Sequence, residues 1–478
     1  MRIALALTMV LLFASPVVSA AQSAPLADAA AALGAASVKS IEYSGSGIFF
    51  QAGQSYTAGQ AWPRFNAKSY TRAVSYDAAL LRDEVVRTQA ENPPRGGGLQ
   101  PVRGEQRQVT LVRGDHAWNL VNDAAVPAPI AVAERQWQLW TTPHGVIKAA
   151  MANNATVQGR VIAFAVPGRF NARAVLNDQN LVERVEGTIP STVVGDMPVE
   201  VTYADYKDFG GVKFPTRIRQ SAGGYPTLDL TVTDVKANAM ADVPTPETVR
   251  GASNVYGKVA TQMVADGVWY LTGGSHHSVV IEMKDHVVVV EAPLNDERAL
   301  AVLAEARSLV PAKPIKYVIA SHHHFDHSGG LRAFAAEGAT VVTHDNARAY
   351  LEKALGAPAT LAPDHQAKAK KTPVVEGVRD RRVLSDGTRT VEIHHIAGNS
   401  HADSLLMVYL PKEKLLSEAD VFTPPPAGTA PAMPPSPFTT NLTENLKRLN
   451  VTVDRILPLH GRLVPIADLH TAVGHGGH

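Results

Sequence analysis

Four histidines and an aspartate stand within six consecutive positions, His322-His323-His324-Phe325-Asp326-His327. The run follows Ile315 to Ala320, a short apolar stretch that reads as a buried strand, and leads into Ser328-Gly329-Gly330. In an extended segment His322 and His324 point to one side and His323 to the other, while Asp326 continues the alternation with His327 beside it. A loop at a strand end can aim such side chains at one point, which is what a metal needs. The chain contains no cysteine. Its metal sites must therefore be built from nitrogen and oxygen donors, a set that suits zinc, with iron or manganese as lesser alternatives.

A chain of 478 residues exceeds what one hydrophobic core usually serves, so at least two domains are expected. Arg2, the apolar run Ile3 to Phe13 and the small residues Val18-Ser19-Ala20 read as a secretory signal over residues 1–20, too short for a comfortable membrane span. The mature protein is then expected to be periplasmic or secreted, without a membrane-spanning segment and without disulfides. A formal net charge of +1 gives no reason to expect nucleic acid as a partner.

Residues 24–236 read as a β-rich domain of short β-prone runs separated by turns such as Arg113-Gly114-Asp115, Asn177-Asp178 and Gly223-Gly224. One helical patch, 131–152, interrupts the meander, and the Gly/Pro-rich stretch 92–101 reads as a long exposed loop. A linker is placed at 237–254, where Pro244 and Pro246 fall among small polar residues. Strands and helices alternate beyond it, as in an α/β layered domain. Residues 469–478, rich in glycine and histidine, read as a flexible tail.

The H-x-H-x-D-H pattern after a strand resembles the first motif of the metallo-β-lactamase fold superfamily. Later pieces follow in order: Gly398-Asn399-Ser400-His401, Ser417-Glu418-Ala419-Asp420 and Leu457-Pro458-Leu459-His460-Gly461. The resemblance covers about 255–468 and implies a four-layer αβ/βα sandwich behind a mostly antiparallel β domain. It also implies that His322, His324 and His401 hold one metal ion, that Asp326, His327 and His460 hold a second, and that Asp420 bridges them. The N-terminal half loosely resembles the half-barrel of periplasmic lipoprotein-carrier proteins, on Tyr203 to Pro215 and the meander.

Two zinc ions so held imply hydrolysis of a small-molecule substrate, a bridging hydroxide attacking the carbonyl of an ester, lactone, thioester or amide. Asp326 would orient the nucleophile or carry a proton to the leaving group. True β-lactamases of this fold usually place cysteine or serine at the bridging position, so Asp420 points away from penicillin-type substrates. Two alternatives stand beside this reading: a mononuclear iron enzyme of the persulfide-dioxygenase type, and an apolar-ligand-binding protein whose metal site is structural. Among the remaining histidines, His276 and His277 are candidates for substrate contact. His394 or His395 is a candidate to orient a ligand, and His344 reads as a structural hydrogen-bonding group. His116, His144, His286 and His365 carry no assignment. The seven-proline stretch 424–437 reads as a semi-rigid flap or spacer near the metals. Loops 273–277, 355–375 and 424–440 are expected to set specificity.

Overall fold

A computed structural model of the chain describes residues 20–239, 242–252 and 254–474. The expected signal segment lies outside these, apart from Ala20, which starts the helix Ala20–Leu33. Among the described residues no helix is long and apolar enough to cross a membrane.

Thirteen antiparallel strands between Ser40 and Ala237 form one sheet, an up-and-down meander whose first strand, Ser40–Phe50, closes against its last, Tyr225–Ala237. Their backbones approach so closely that a Cβ at Gly45 or Gly47 would collide with the carbonyl oxygens of Thr231 and Asp229. Alternate residues turn inward, as Val199, Val201 and Tyr203 do along Gly195–Asp208. The inward face is filled by the chain's own helices. Leu33, Trp137, Leu139, Val146 and Ile147 share a core with Val185, Val201 and Phe214. The expected helical patch is two helices, Val132–Trp140 and Pro143–Ala152, the second capped by Thr142 with Pro143 in its first turn.

Beyond residue 254 two sheets face each other. One has seven strands, from Ala260–Ala265 to Val375–Val378, antiparallel at first and parallel from Val287–Val290 onward. The other has six, from Arg381–Ser385 to Val464–Pro465. The strand Val287–Val290 shows why the layers stack. Its four valines are all buried, with Val287 and Val289 in a core shared with the helices Asp296–Leu309 and Leu331–Glu337. Val288 and Val290 instead meet Ile393, Val408 and Leu457 of the second sheet. A strand buried on both faces needs such an unbroken apolar run. Helices Pro437–Leu449 and Ile466–Ala472 cover the outer face of the six-stranded sheet. The result is the expected four-layer sandwich behind an antiparallel β domain.

Two expectations are corrected. The tail does not begin at residue 469, because Leu469 is fully buried inside the last helix; residues 475–478 lie outside the described residues. The stretch 92–101 is a loop exposed only in part: Asn92, Pro93, Arg95 and Leu99 face solvent, while Gly96, Gly97 and Gln100 are buried. Gly96 N donates to Ser400 O at 2.9 Å and Gly97 N to Gln54 O at 3.0 Å.

His144 is sealed in the N-terminal core, its Nε2 donating to Leu33 O at 2.9 Å, and burial lowers its pKa to about 4. The unfolded chain binds a proton near pH 6.5 that the folded chain refuses. The stability this neutral imidazole allows is therefore complete above pH 6.5 and is lost as the pH falls toward 4. Urea unfolding in chelator at pH 7.5 and 4.5 should show His144→Phe losing about 2 kcal/mol less between the two than the parent chain. Equal losses would remove His144 as a source of acid sensitivity.

Candidate metal centre

Five segments bring polar side chains to one edge of the sandwich, each just beyond or between core strands. His322 to His327 follow Ile315–Ile319, and His401 lies between Thr390–His395 and Leu406–Leu410. Asp420 follows Leu415–Glu418, His460 follows Arg455–Pro458, and His276 stands in the turn before Ser278–Glu282. Crevices at the carboxyl ends of strands are where layered α/β sheets place ligands. Asp420 adopts a left-handed backbone conformation, φ +62°, which aspartate tolerates better than most residues.

The donor atoms gather in two groups, each with all its members within 4.8 Å of one another. One comprises His322, His324, His401 and Asp420; the other comprises His276, Asp326, His327 and His460. The structure thus brings together all seven residues expected as ligands and adds His276. Asp420 reaches both groups. Its Oδ2 is 3.0 Å from His401 Nε2, 3.1 Å from His327 Nε2 and 3.5 Å from His322 Nε2, and its Oδ1 is 2.9 Å from His460 Nε2.

These spacings fit metal ions. His401 Nε2 faces His322 Nε2 at 3.3 Å, and His460 Nε2 faces His327 Nε2 at 3.0 Å. Two donors on a tetrahedral ion with bonds of 2.0–2.1 Å lie about 3.3 Å apart. His324 donates through Nε2 to Ser55 O at 2.8 Å, while its buried Nδ1 has no hydrogen-bond partner. That is the nitrogen left to ligate. Burial and then neighbouring histidines hold His322 and His324 well below the ordinary imidazole range, in the neutral form a metal binds. Burial alone would raise the Asp420 pKa, but His327, His460 and His401 outweigh it and keep the carboxylate ionised. Burial would likewise lower His327, yet Asp420 and Asp326 hold it well above its usual value.

The second group has supports that lie far away in sequence. Gln54, from the N-terminal domain, donates its amide to Asp326 Oδ1 at 2.8 Å and accepts from Gly98 N at 3.0 Å. His276 Nε2 is 3.3 Å from Asp326 Oδ2, and its Nδ1 is 2.8 Å from Ser275 Oγ. Glu291, fully buried, lies 3.8 Å from His327 Nδ1. His323 and Phe325, which point away from the metals, bind the two domains together. His323 is held by Ser404 Oγ at 2.7 Å and Ser55 O at 2.9 Å. Phe325 packs against Trp62 with ring centroids 5.6 Å apart, and its N–H donates to Gly53 O. Gln54 and Ser55 carried no signal in the sequence, and Gly96 to Gly98 read only as part of an exposed loop.

Several secondary candidates fall elsewhere. His277 donates to Gly461 O at 2.8 Å rather than toward a substrate. His394 pairs with Glu392, and His395 lies against His344, so neither orients a ligand. His344 is a structural group, bonded to Arg379 O and capping the helix Asp345–Leu355. The metal groups open into a cavity of about 610 Å³ walled by Gln51, Gln54 and Leu99 on one side and Thr423 and Phe438 on the other. The proline-rich stretch borders it at its two ends, through Thr423 and Ser436. Loop 355–375 takes no part in this wall.

Residues 271–461 match the family pattern described as the Metallo-beta-lactamase superfamily. The 2,4-dinitroanisole O-demethylase subunit alpha of Nocardioides sp. (strain JS1661) is 27% identical over 174 residues, 36% of this chain and 49% of that one. The match thus spans about half the length of that relative. A metallo-beta-lactamase from Pontibacter korlensis is 18% identical, with TM-score 0.35, over 46% of this chain and 98% of that one. One from Hirschia baltica is 19% identical, with TM-score 0.35, over 45% and 97%.

A Cβ at Gly97 would collide with Gln54 Oε1 and come within 2.9 Å of His324 Cε1. Gly97→Ala should therefore weaken metal binding by about tenfold or more, the scale of losing a ligand's support. Competition against a chromogenic chelator reads this, with far-ultraviolet circular dichroism as the check on folding. An unchanged affinity would show that the loop merely lies nearby.

Proposed function

From the premise that residues 271–461 are a metallo-beta-lactamase superfamily domain, we propose that the chain is a binuclear zinc hydrolase of a small ester, lactone, thioester or amide. The observation that carries this reading is Asp420, whose two oxygens stand between two complete donor groups. A closed structural site needs four donors and one ion; eight donors in two adjoining groups, open to a cavity, suit two ions and a substrate. The absence of cysteine leaves an all nitrogen and oxygen set, compatible with zinc. The protein is further proposed to be exported, from its first twenty residues.

His322, His324 and His401 would hold one ion and His327, His460 and Asp326 the other, with Asp420 between them and His276 within reach of the second. Divalent ions so bound supply Lewis acidity at a carbonyl and a nucleophile from water at neutral pH. The chain's own groups do the positioning. Gln54 holds Asp326 Oδ1, which leaves Oδ2 turned toward His276 and His327. That carboxylate oxygen is placed to orient an attacking water or to pass a proton to a leaving group. Phe438 and Leu99 give the cavity some apolar surface against which a substrate can rest.

Metal analysis of the purified protein should give two zinc per chain, and chelator should abolish turnover of at least one member of a lactone, thioester, ester and amide panel. Asp420→Ala should lower kcat/KM by at least ~100-fold, since even the loss of a ligand's outer support costs 10–100-fold. One iron per chain with oxygen uptake, or turnover indifferent to Asp420→Ala, would overturn the assignment.

A further inference from the structure

A second cavity, of about 680 Å³, lies where the N-terminal sheet meets the metal domain. Its apolar wall comes from both halves: Ile130, Ile189 and Met197 from the first, Leu294, Phe325 and Pro363 from the second. Asp326 lines this cavity and also the one that holds the metal groups. Asp326 thus stands between the two spaces, its carboxylate among the metal groups and its main-chain oxygen bonded by the N–H of Leu294, which lines the second cavity. Ile130, a large apolar side chain of this wall, remains 45% exposed.

We propose that this interdomain cleft receives a long, uncharged apolar chain of the substrate while the scissile carbonyl sits over the metal centre. The occupant is defined by three features of the wall. Its volume lies within the range of small-molecule pockets, about 300–1,000 Å³. Its surface is chiefly aliphatic and aromatic, so each methylene inserted is removed from water. Its charged lining, besides Asp326, is Glu134, Asp296, Glu297 and Asp364, with no lysine, arginine or histidine. Asp364 is paired with Arg332; the other three carboxylates, with no cation in the lining, disfavour an anionic tail and leave a neutral chain as the better fit.

The same placement gives the N-terminal domain a task. Its sheet interior is largely filled by its own helices, and the cavity of about 260 Å³ that remains there is lined by Arg72, Asp83, Glu134 and Arg135, charged groups that do not suit an apolar guest. It instead presents the start of the helix Val132–Trp140 and the turn after Ile189 to the metal domain. Residues 362–364, in a loop expected to set specificity, supply the facing edge. The proposal rests on the hydrolase reading for its chemistry: water adds across the acyl carbon–oxygen bond, releasing an acid and an alcohol.

The test is a series of neutral esters with acyl or alkyl chains from two to twelve carbons, assayed with the zinc-loaded full chain. In one of the two series kcat/KM should climb by up to about fourfold per methylene until the cleft is full. Ala362→Trp, at the exposed edge, and Ala131→Trp, on the opposite wall, should each flatten that climb. A chain-length profile that is flat in both series, or a climb untouched by both variants, overturns the cleft assignment and leaves the hydrolase standing. If no ester is turned over, the hydrolase reading stands or falls separately with the lactone, thioester and amide panel. The cleft is then judged with the neutral dye Nile red: binding abolished by Ala362→Trp and Ala131→Trp sustains an apolar-chain site, and no binding removes it.

Discussion

Asp420 is the group on which the centre turns. Two sets of imidazoles, gathered from loops between His276 and His460, would leave their nitrogens facing one another across about 3 Å with nothing to compensate them. A single carboxylate in their midst, its backbone held at φ +62°, gives both sets a common negative partner. Burying ionisable groups is costly unless each is paired, and here the pairing is mutual. The histidines favour the ionised form of Asp420, and Asp420 and Asp326 raise the pKa of His327 against the effect of its burial. A strand end pointed at this spot from each sheet is the geometric condition for the cluster, which is what two facing sheets with loops on one edge supply.

The N-terminal sheet completes the enclosure without contributing an expected ligand. Its contacts fall on both donor groups: the Ser55 carbonyl on His324, the Gln54 amide on Asp326, and the Gly96 N–H on the carbonyl of Ser400 beside His401. Hydrogen bonds to the far side of a ligand fix its tautomer and its aim. In His324 the consequence is explicit, since engaging Nε2 leaves Nδ1 as the free lone pair. The domain therefore acts on the site through orientation, and a metal domain cut loose from it would lose those fixed tautomers.

What could be read from the sequence was what chemistry concentrates locally. His322 to His327 are neighbours in the chain, and a strand before them makes their convergence a matter of alternation. His401, Asp420 and His460 became legible only through the order of motifs they share with a known fold. The rest depended on contacts with no local signature. Gln54 meets Asp326 across 272 residues, and an isolated glutamine in a loop looks like any other. The stretch 92–101 is the loop expected, but its buried glycines were hidden for a physical reason: glycine and proline mark exposed turns, yet glycine is also what lets a backbone approach a histidine ring this closely. The strand Leu80–Gln89 was hidden by its charges, because Asp83 is sunk in a two-point pair with the buried Arg72 at 2.5 and 2.6 Å. Alternation of apolar and polar residues fails as a guide where the buried position is an ion pair.

Phe325 and Asp326 show how closely the two halves are joined. They are consecutive residues at the start of one short helical turn, yet the first packs against the N-terminal core and the second reaches the metals. The main-chain bond from Phe325 N to Gly53 O and the side-chain bond from Gln54 to Asp326 are likewise made by consecutive residues of the opposing loop. A dipeptide on each side thus interlocks with a dipeptide on the other. A Cβ at Gly53 would strike the Phe325 ring, so glycine is what permits that lock. Movement of one domain against the other must pull on Asp326, and anything that lodges between the domains beside Phe325 lies one residue from the metal centre. That coupling makes an interdomain cleft part of the active site rather than a seam between independent folds.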